Sequence, residues 1–401
     1  MSRAMKDSGI PWIGEIPEGW TIELIGNQLK EVDNPNTNGE ENNALQFKMG
    51  SIISKSQGDS KYNPETLEGY NIVDKGVIML NGLNLSFDFI SQRVGLVRER
   101  GVITSTYLAV KPTDNIDSEY LTYLFKAYDN CKAFHSMGKG LRQTLSYGEL
   151  RKYLLIYPSL SEQQRIAEFL DRKCAEVDEM IALQEQIIEE LKAYKQSVIT
   201  EAVTKGLNPA APMRDSGIEW IGQIPEHWKY SKLKYYITID SGDAILNENI
   251  SEEGEYPVFG GGERMGYFSK YNTCEDCLII GRVGARCGCV TMPMTKTWAT
   301  DNALVLKSKW VLKFTFYLLL GLNLNRLNTS NAQPLITATK VKNEYVPIIP
   351  STEQQAIADY LDDKCADIDS LIQTKQSKID SLKEYKKSII YEYVTGKREV
   401  E

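Results

Sequence analysis

"PSLSEQQRIAEFLDRKCAEVDEMIALQEQIIEELKAYKQSVITEAVTKG" fills residues 158–206, and "PSTEQQAIADYLDDKCADIDSLIQTKQSKIDSLKEYKKSIIYEYVTGK" fills 350–397. Both copies open on Pro-Ser and set a hydroxyl three residues before an amide, Ser161 with Gln164 and Thr352 with Gln355, the spacing of a capping box. Both reach a glycine just past the last turn, Gly206 and Gly396, the residue type that closes a helix. Apolar residues recur between these signals at heptad spacing. The first copy carries rows Leu170, Val177, Leu191, Val198 and Cys174, Ile181, Ile188, Ala202; the second carries Leu361, Ile368, Leu382, Ile389 and Cys365, Ile372, Ile379, Tyr393. Such rows form a seam for a partner helix. Polar residues interrupt it at one register in both copies, Gln184 with Lys375 and Lys195 with Lys386, which fixes register and orientation. Each copy predicts a rod of roughly 65 Å at 1.5 Å per residue. The plainer reading is two amphipathic helices on a globular core, but the length and matched seams favour a long antiparallel pair.

A second duplication lies just outward. "DSGIPWIGEIPEGW" (7–20) returns as "DSGIEWIGQIPEHW" (215–228); extended to Met5 and Met213, the copies agree at 12 of 16 positions. The chain therefore divides into a first box (1–20), a variable segment (21–157), a long helix (158–206), a second box (207–228), a second variable segment (229–349) and a closing helix (350–401). Read as a circle, the last helix runs back into the first box, which predicts a pseudo-twofold molecule with neighbouring termini. Similarity between the variable segments is thin. "TSTYLAVK" (104–111) stands beside "TDNALVLK" (300–307), and "QRVG" (92–95) beside "GRVG" (281–284), implying one fold in both. The expected class is α+β: two pseudo-twofold-related mixed α/β domains joined by two long antiparallel coiled-coil helices.

The 401 residues carry a formal net charge of -8, which at face value argues against nucleic acid. The acid, however, is concentrated in the long helices, whereas residues 229–350 hold 14 Lys/Arg against 11 Asp/Glu. Any DNA affinity must come from local clusters. The longest apolar run, "FYLLLGL" at 316–322, is far short of the roughly 18 residues of a membrane span. The start, "MSRAMKDSGI", has no apolar core of a signal peptide, so a cytoplasmic location with reduced cysteines is expected.

Alternation and glycine frequency predict strands in "GVIMLNG", "VGLVRERGVITSTYLAVKP", "CLIIGRVGARCGCVTMP" and "NALVLKS". "SEYLTYLFKAYDNCKAF" and "KFTFYLLLGLNLNRL" supply one helix each. Base edges are read chiefly by Arg to guanine and Asn or Gln to adenine. "GKGLRQTLSY" (Lys139, Arg142, Gln143) and "SNAQPL" (Asn331, Gln333) occupy equivalent places before the two long helices. Arg264 beside a glycine run, Arg282 and Arg286 in "GRVGARCG", and Lys48 and Arg93 in the first segment complete the candidate DNA-contact set. Each alone reads as an ordinary solvated residue; the set carries the inference. Trp12, Ile13, Trp20 and their repeats Trp220, Ile221, Trp228 are candidates for partner contact, with local core as the competing reading for the tryptophans.

Catalytic chemistry is poorly supplied. Only His135 and His227 occur, no phosphate-binding glycine loop is present, and the aromatic tetrad of an amino methyltransferase is missing. Glu190-x-Lys192 and Glu384-x-Lys386 match a nuclease fragment but fall on the heptad helices. Cys274, Cys277, Cys287 and Cys289 have a zinc-compatible spacing, yet the second pair alternates within an apparent strand and the first segment has no equivalent, so no metal is assigned. No catalytic residue is assigned either.

The boxes "WIGEIPEGW" and "WIGQIPEHW", the helix openings "SEQQRIAEFLDRK" and "TEQQAIADYLDDK", and "LIIGRVGARCG" together carry a likeness over essentially the whole chain. It resembles the specificity, or DNA-recognition, subunit of type I restriction-modification systems, the HsdS family. The resemblance implies that each variable segment reads half of a bipartite, asymmetric DNA site and that the helices set the spacer. It implies a subunit without activity or cofactor of its own, assembled with two modification subunits that bind S-adenosylmethionine and methylate adenine. Two restriction subunits using ATP and Mg may join these in that family. The rival expectation is a non-catalytic coiled-coil scaffold whose variable domains bind protein.

Overall fold

The computed structural model describes residues 3–55, 67–87, 89, 92–141, 143–273, 275–284, 286–328 and 334–400. It forms two compact units, Met1–Leu183 with Lys378–Glu401, and Gln184–Ser377. Both long helices are present, Leu160–Lys205 and Ser351–Val394, and each contributes one half to either unit.

In the first unit the sheet has four antiparallel strands in the order Leu29–Glu31, Leu108–Pro112, Ile78–Leu80, Val94–Leu96. In the two central strands, Ile78–Leu80 and residues 108–110 are buried, as their apolar runs require. A helix, Ser118–Asn130, is capped by Asp117, whose side chain accepts from Tyr120 N, and packs on the sheet. Its far end breaks at Lys132, at φ 58°, and resumes as Ala133–Met137, so the one helix expected here is two. The helix reaches the long helix through Tyr123, whose hydroxyl donates to Asp171 Oδ1 at 2.7 Å. Leu170, Cys174 and Val177 of the first long helix share a core with Ile389, Ile390 and Val394 of the second. Phe169 packs on Tyr393 while Asp178 pairs with Lys386, so the two halves run antiparallel in this unit.

The second unit is built alike. Its sheet order is Ile237–Ser241, Ala303–Ser308, Leu278–Gly281, Val290–Thr291. The helix Leu312–Leu322 ends at left-handed Asn323 and resumes as the short turn Leu324–Leu327. Tyr317 donates to Asp362 Oδ1 at 2.8 Å, and Ile199, Ala202 and Val203 meet Ile357, Ala358, Leu361 and Cys365. Matching strands confirm the pairing of "LAVK" with "LVLK", since Leu108 faces Leu80 as Leu304 faces Ile280. "QRVG" and "GRVG" are not equivalent: the first leads into the edge strand at Val94, and the second ends the central strand at Gly281.

Each box is a small hairpin, Met5–Asp7 with Glu15–Pro17 and Met213–Asp215 with Gln223–Pro225. A basic residue closes it: Lys6 Nζ donates to Trp20 O, and Arg214 donates to Trp228 O, both at 2.6 Å. Trp20 and Trp228 are buried, each against the glycine that ends a long helix, Gly396 and Gly206. These glycines hold φ of 70° and 74°, so they serve as helix stops and as the floor under the indole.

The helix starts differ from the capping-box expectation. Gln164 and Gln355 point to solvent. Their neighbours Gln163 and Gln354 are buried and accept from Asp117 N at 2.8 Å and Val311 N at 3.1 Å. The same amides donate to Pro158 O and Ile349 O. A buried amide that stitches the long helix to the start of the domain helix satisfies more orphan groups than a solvent-facing cap does.

Candidate nucleic-acid interface

In both units the chain leaving the central strand lies beside the chain that precedes the last short helix. In the first unit, Leu145 N donates to Gly82 O at 2.9 Å and Leu85 N to Gln143 O at 3.3 Å. In the second, Ile336 N donates to Arg282 O at 2.9 Å and Gly284 N to Pro334 O at 3.3 Å. Two loops from distant parts of the sequence thus form one ledge at the same end of each sheet. Close approach demands glycine: a Cβ on Gly82 would stand 2.6 Å from Leu145 O, and one on Gly261 equally close to Val283 O.

A hairpin turn flanks each ledge. Lys48 and Met49 are exposed at the turn between Leu45–Lys48 and Ser51–Ser54. Gly50, at φ 75°, abuts Gln92. Gln92 is exposed and carries both donor and acceptor, so it joins the candidate set although no local pattern in the sequence singles it out. In the second unit the turn Gly260–Glu263 rests on Val283 and Arg286, which gathers Arg264, Arg282 and Arg286 on one side of the unit.

Side-chain chemistry differs between the ledges. On the first, Lys139 pairs with Glu149 at 3.0 Å, and hydrogen bonds from Lys139 and Lys152 hold that carboxyl below its usual range. Gln143 sits at φ 45° in the turn Lys139–Thr144, Leu141 is 98% exposed and Phe87 75% exposed. On the second, Arg264 lies over the Tyr267 ring and donates to its hydroxyl at 2.9 Å, Arg286 pairs with Glu263, and Arg282 is half-buried. Arg142, Asn331 and Gln333 lie outside the described residues.

Arg93 departs from the expected role. It is 1% exposed and donates from one guanidinium nitrogen to Asn81 O and Leu83 O, each at 2.8 Å. A base contact from this side chain would cost it both bonds and empty a packed interior. Cys287 and Cys289 lie in a turn, not a strand. Cys287 is buried, donates to Arg282 O at 3.1 Å and has its thiol pushed up by burial. Cys289 is exposed, and Cys274 lies outside the described residues. No group of three metal-ligating side chains occurs among the described residues. Nor is any helix among them long and apolar enough to cross a membrane.

Of the partner candidates, Ile13, Trp20, Ile221 and Trp228 are buried in their own units, which places them in local core. Trp12 and Trp220 are half-buried. Trp220 Nε1 donates to Tyr345 O at 3.0 Å.

The family described as type I restriction modification DNA specificity domain matches residues 98–193 and 225–393, more than half of the chain. The chain belongs to this DNA specificity family. The putative MjaX specificity subunit of Methanocaldococcus jannaschii is 25% identical over 420 residues, covering 96% of this chain and 95% of the relative. The EcoprrI specificity subunit of Escherichia coli is 32% identical over 147 residues, 34% of this chain and 36% of the relative. Among solved structures, a chain from work on complex assembly of the type I R-M system superposes with a TM-score of 0.70 at 15% identity, covering 96% of this chain and 99% of that one. The HsdS subunit of Thermoanaerobacter tengcongensis gives 0.50 at 16%, covering 96% and 98%. These last two likenesses are of fold, and the mixed α/β domains with long helices match the specificity-family architecture.

Proposed function

We propose that this chain is the non-catalytic reader of a type I restriction-modification complex, each ledge selecting one half of a bipartite, asymmetric DNA site. The observation that carries the reading is the repeated ledge: the same backbone construction in both units, with different side chains at its rim. A constant frame with variable tips is what reading two unlike sequences requires. Phosphate contacts would position the protein, and a few rim side chains would select bases. Arginines at the second ledge suit guanine; the amides Gln92 and Gln143 at the first suit adenine.

The reaction belongs to partners: two modification subunits supply S-adenosylmethionine chemistry on adenine, and restriction subunits, where present, supply ATP- and Mg-dependent steps. The half-exposed faces of Trp12 and Trp220 in the repeated boxes are the natural places for two copies of one partner. The long helices set the spacer between half-sites, with centres about one helical turn, 34–36 Å, apart. The test is single-molecule methylome sequencing of cells expressing the chain with its modification subunit. New methyladenine at a split motif supports the reading; an assembled complex that adds no motif turns the assignment toward a protein-binding scaffold.

A further inference from the structure

Asn81 N donates to Arg93 O at 2.8 Å, which joins the two ends of the loop between the strands Ile78–Leu80 and Val94–Leu96. Inside it, the Arg93 guanidinium holds the carbonyls of Asn81 and Leu83, and Leu83 N in turn bonds Asn81 Oδ1 at 3.2 Å. The Arg93 backbone is fixed from below, its N–H donating at 2.8 Å to Asp129 Oδ2, a buried carboxylate of the helix Ser118–Asn130. The outer side of the same loop presents Gly82 O to Leu145 N and Leu85 N to Gln143 O. The two carbonyls on Arg93 thus flank Gly82, whose own carbonyl accepts from Leu145 N on the opposite side of the ledge.

The second unit solves the same problem otherwise. Its ledge begins at Arg282, whose carbonyl is held by the Cys287 thiol and Ile336 N. Neutral donors hold the carbonyl there.

We infer that Arg93 is a positioning residue for recognition of the first half-site, fixing the loop Asn81–Phe87 and the turn packed on it without touching DNA. The inference rests on the proposed DNA-reading function. A charged donor to two carbonyls is stronger than a neutral one, and its removal leaves buried acceptors without partners.

The experiment compares wild type, Arg93→Met, Arg93→Lys and Gly82→Ala, each assembled with the modification subunit. Methylation is measured on duplexes in which every base pair of both half-sites is changed in turn. Arg93→Met should lower discrimination about tenfold, the range of a lost base contact, at several positions of the first half-site together. Arg93→Lys, which keeps a cation with donors for both carbonyls and guards against misfolding, should recover most of it. Gly82→Ala, which displaces the ledge and spares the charge, should reproduce the loss. The second half-site and the spacer should stay as in wild type. Loss confined to one base pair would make Arg93 a direct reader and overturn the inference, as would equal loss at both half-sites or unchanged discrimination in both Arg93 variants. A wild-type complex that reads no bipartite site would overturn the proposed function and this inference with it.

Discussion

Lys386 donates to both carboxylate oxygens of Asp178, at 2.7 and 2.6 Å, and Lys195 does the same to Asp369 at 2.7 Å. Both lysines interrupt the apolar seam one turn from a buried Leu or Ile row. Their stems cover the seam while their heads reach a carboxylate on the opposite helix. Each unit holds one such pair, so the same register lock occurs once per unit.

These pairs specify pairing more than they stabilise it. Asp178→Ala and Asp369→Ala should each cost less than about 1 kcal/mol, whereas Leu170→Ala, at a fully buried seam position, should cost about 2–5 kcal/mol. Denaturant midpoints of the three variants check the ranking.

Lengthening both long helices should alter the spacing of the recognised site and leave the half-sites alone. Matched insertions of about four residues, close to one helical turn, are expected to shift the spacer in the methylome. An unchanged spacer would remove the helices from that role.

Lys126 is half-buried and lies 5.6 Å from the Tyr123 ring centre. Burial pushes its amine down, and Lys386 adds to the effect. A lysine whose folded value lies below its unfolded one costs stability wherever it is charged, and the cost fades as pH rises through the folded value toward the unfolded one, about 10.4. Lys126→Met should therefore raise the thermal midpoint at pH 7, with a gain that shrinks as pH approaches 10. Melting curves across that range test the sign.

Thiol labelling should separate two cysteines that stand two residues apart. Cys289 is exposed, whereas Cys287 is buried, bonded to Arg282 O and raised by burial. Modification of Cys287 should lag by at least about tenfold under native conditions, as peptide mapping would show. Equal rates would mean that the second ledge opens readily.

Much of the frame was legible in residues. Heptad rows, terminal glycines and boxes are local patterns, and the folded halves use them as written. Gln163 and Gln354 were missed because their partners, Asp117 N and Val311 N, are about 45 residues away in sequence, beyond any local cap rule. Arg93 was misplaced for a related reason. An arginine before a strand looks solvated until the loop it closes is known, and only tertiary structure supplies the carbonyls. The "QRVG" likeness misled because four residues fit two places when strands are three or four residues long. Lys139, Gln143, Arg264, Arg282 and Arg286 each read locally as ordinary solvated residues, and their gathering into ledges depends on the sheet order, which no local pattern supplies.

The anchors of the two ledges lie within the loops they hold, Arg93 in one and Cys287 in the other. Arg93 holds the carbonyls of Asn81 and Leu83, and Cys287 that of Arg282. A lineage could therefore rewrite one loop, anchor included, by recombination or drift and inherit the rest unaltered. Under the proposed function, that separation would let sequence preference change one half-site at a time.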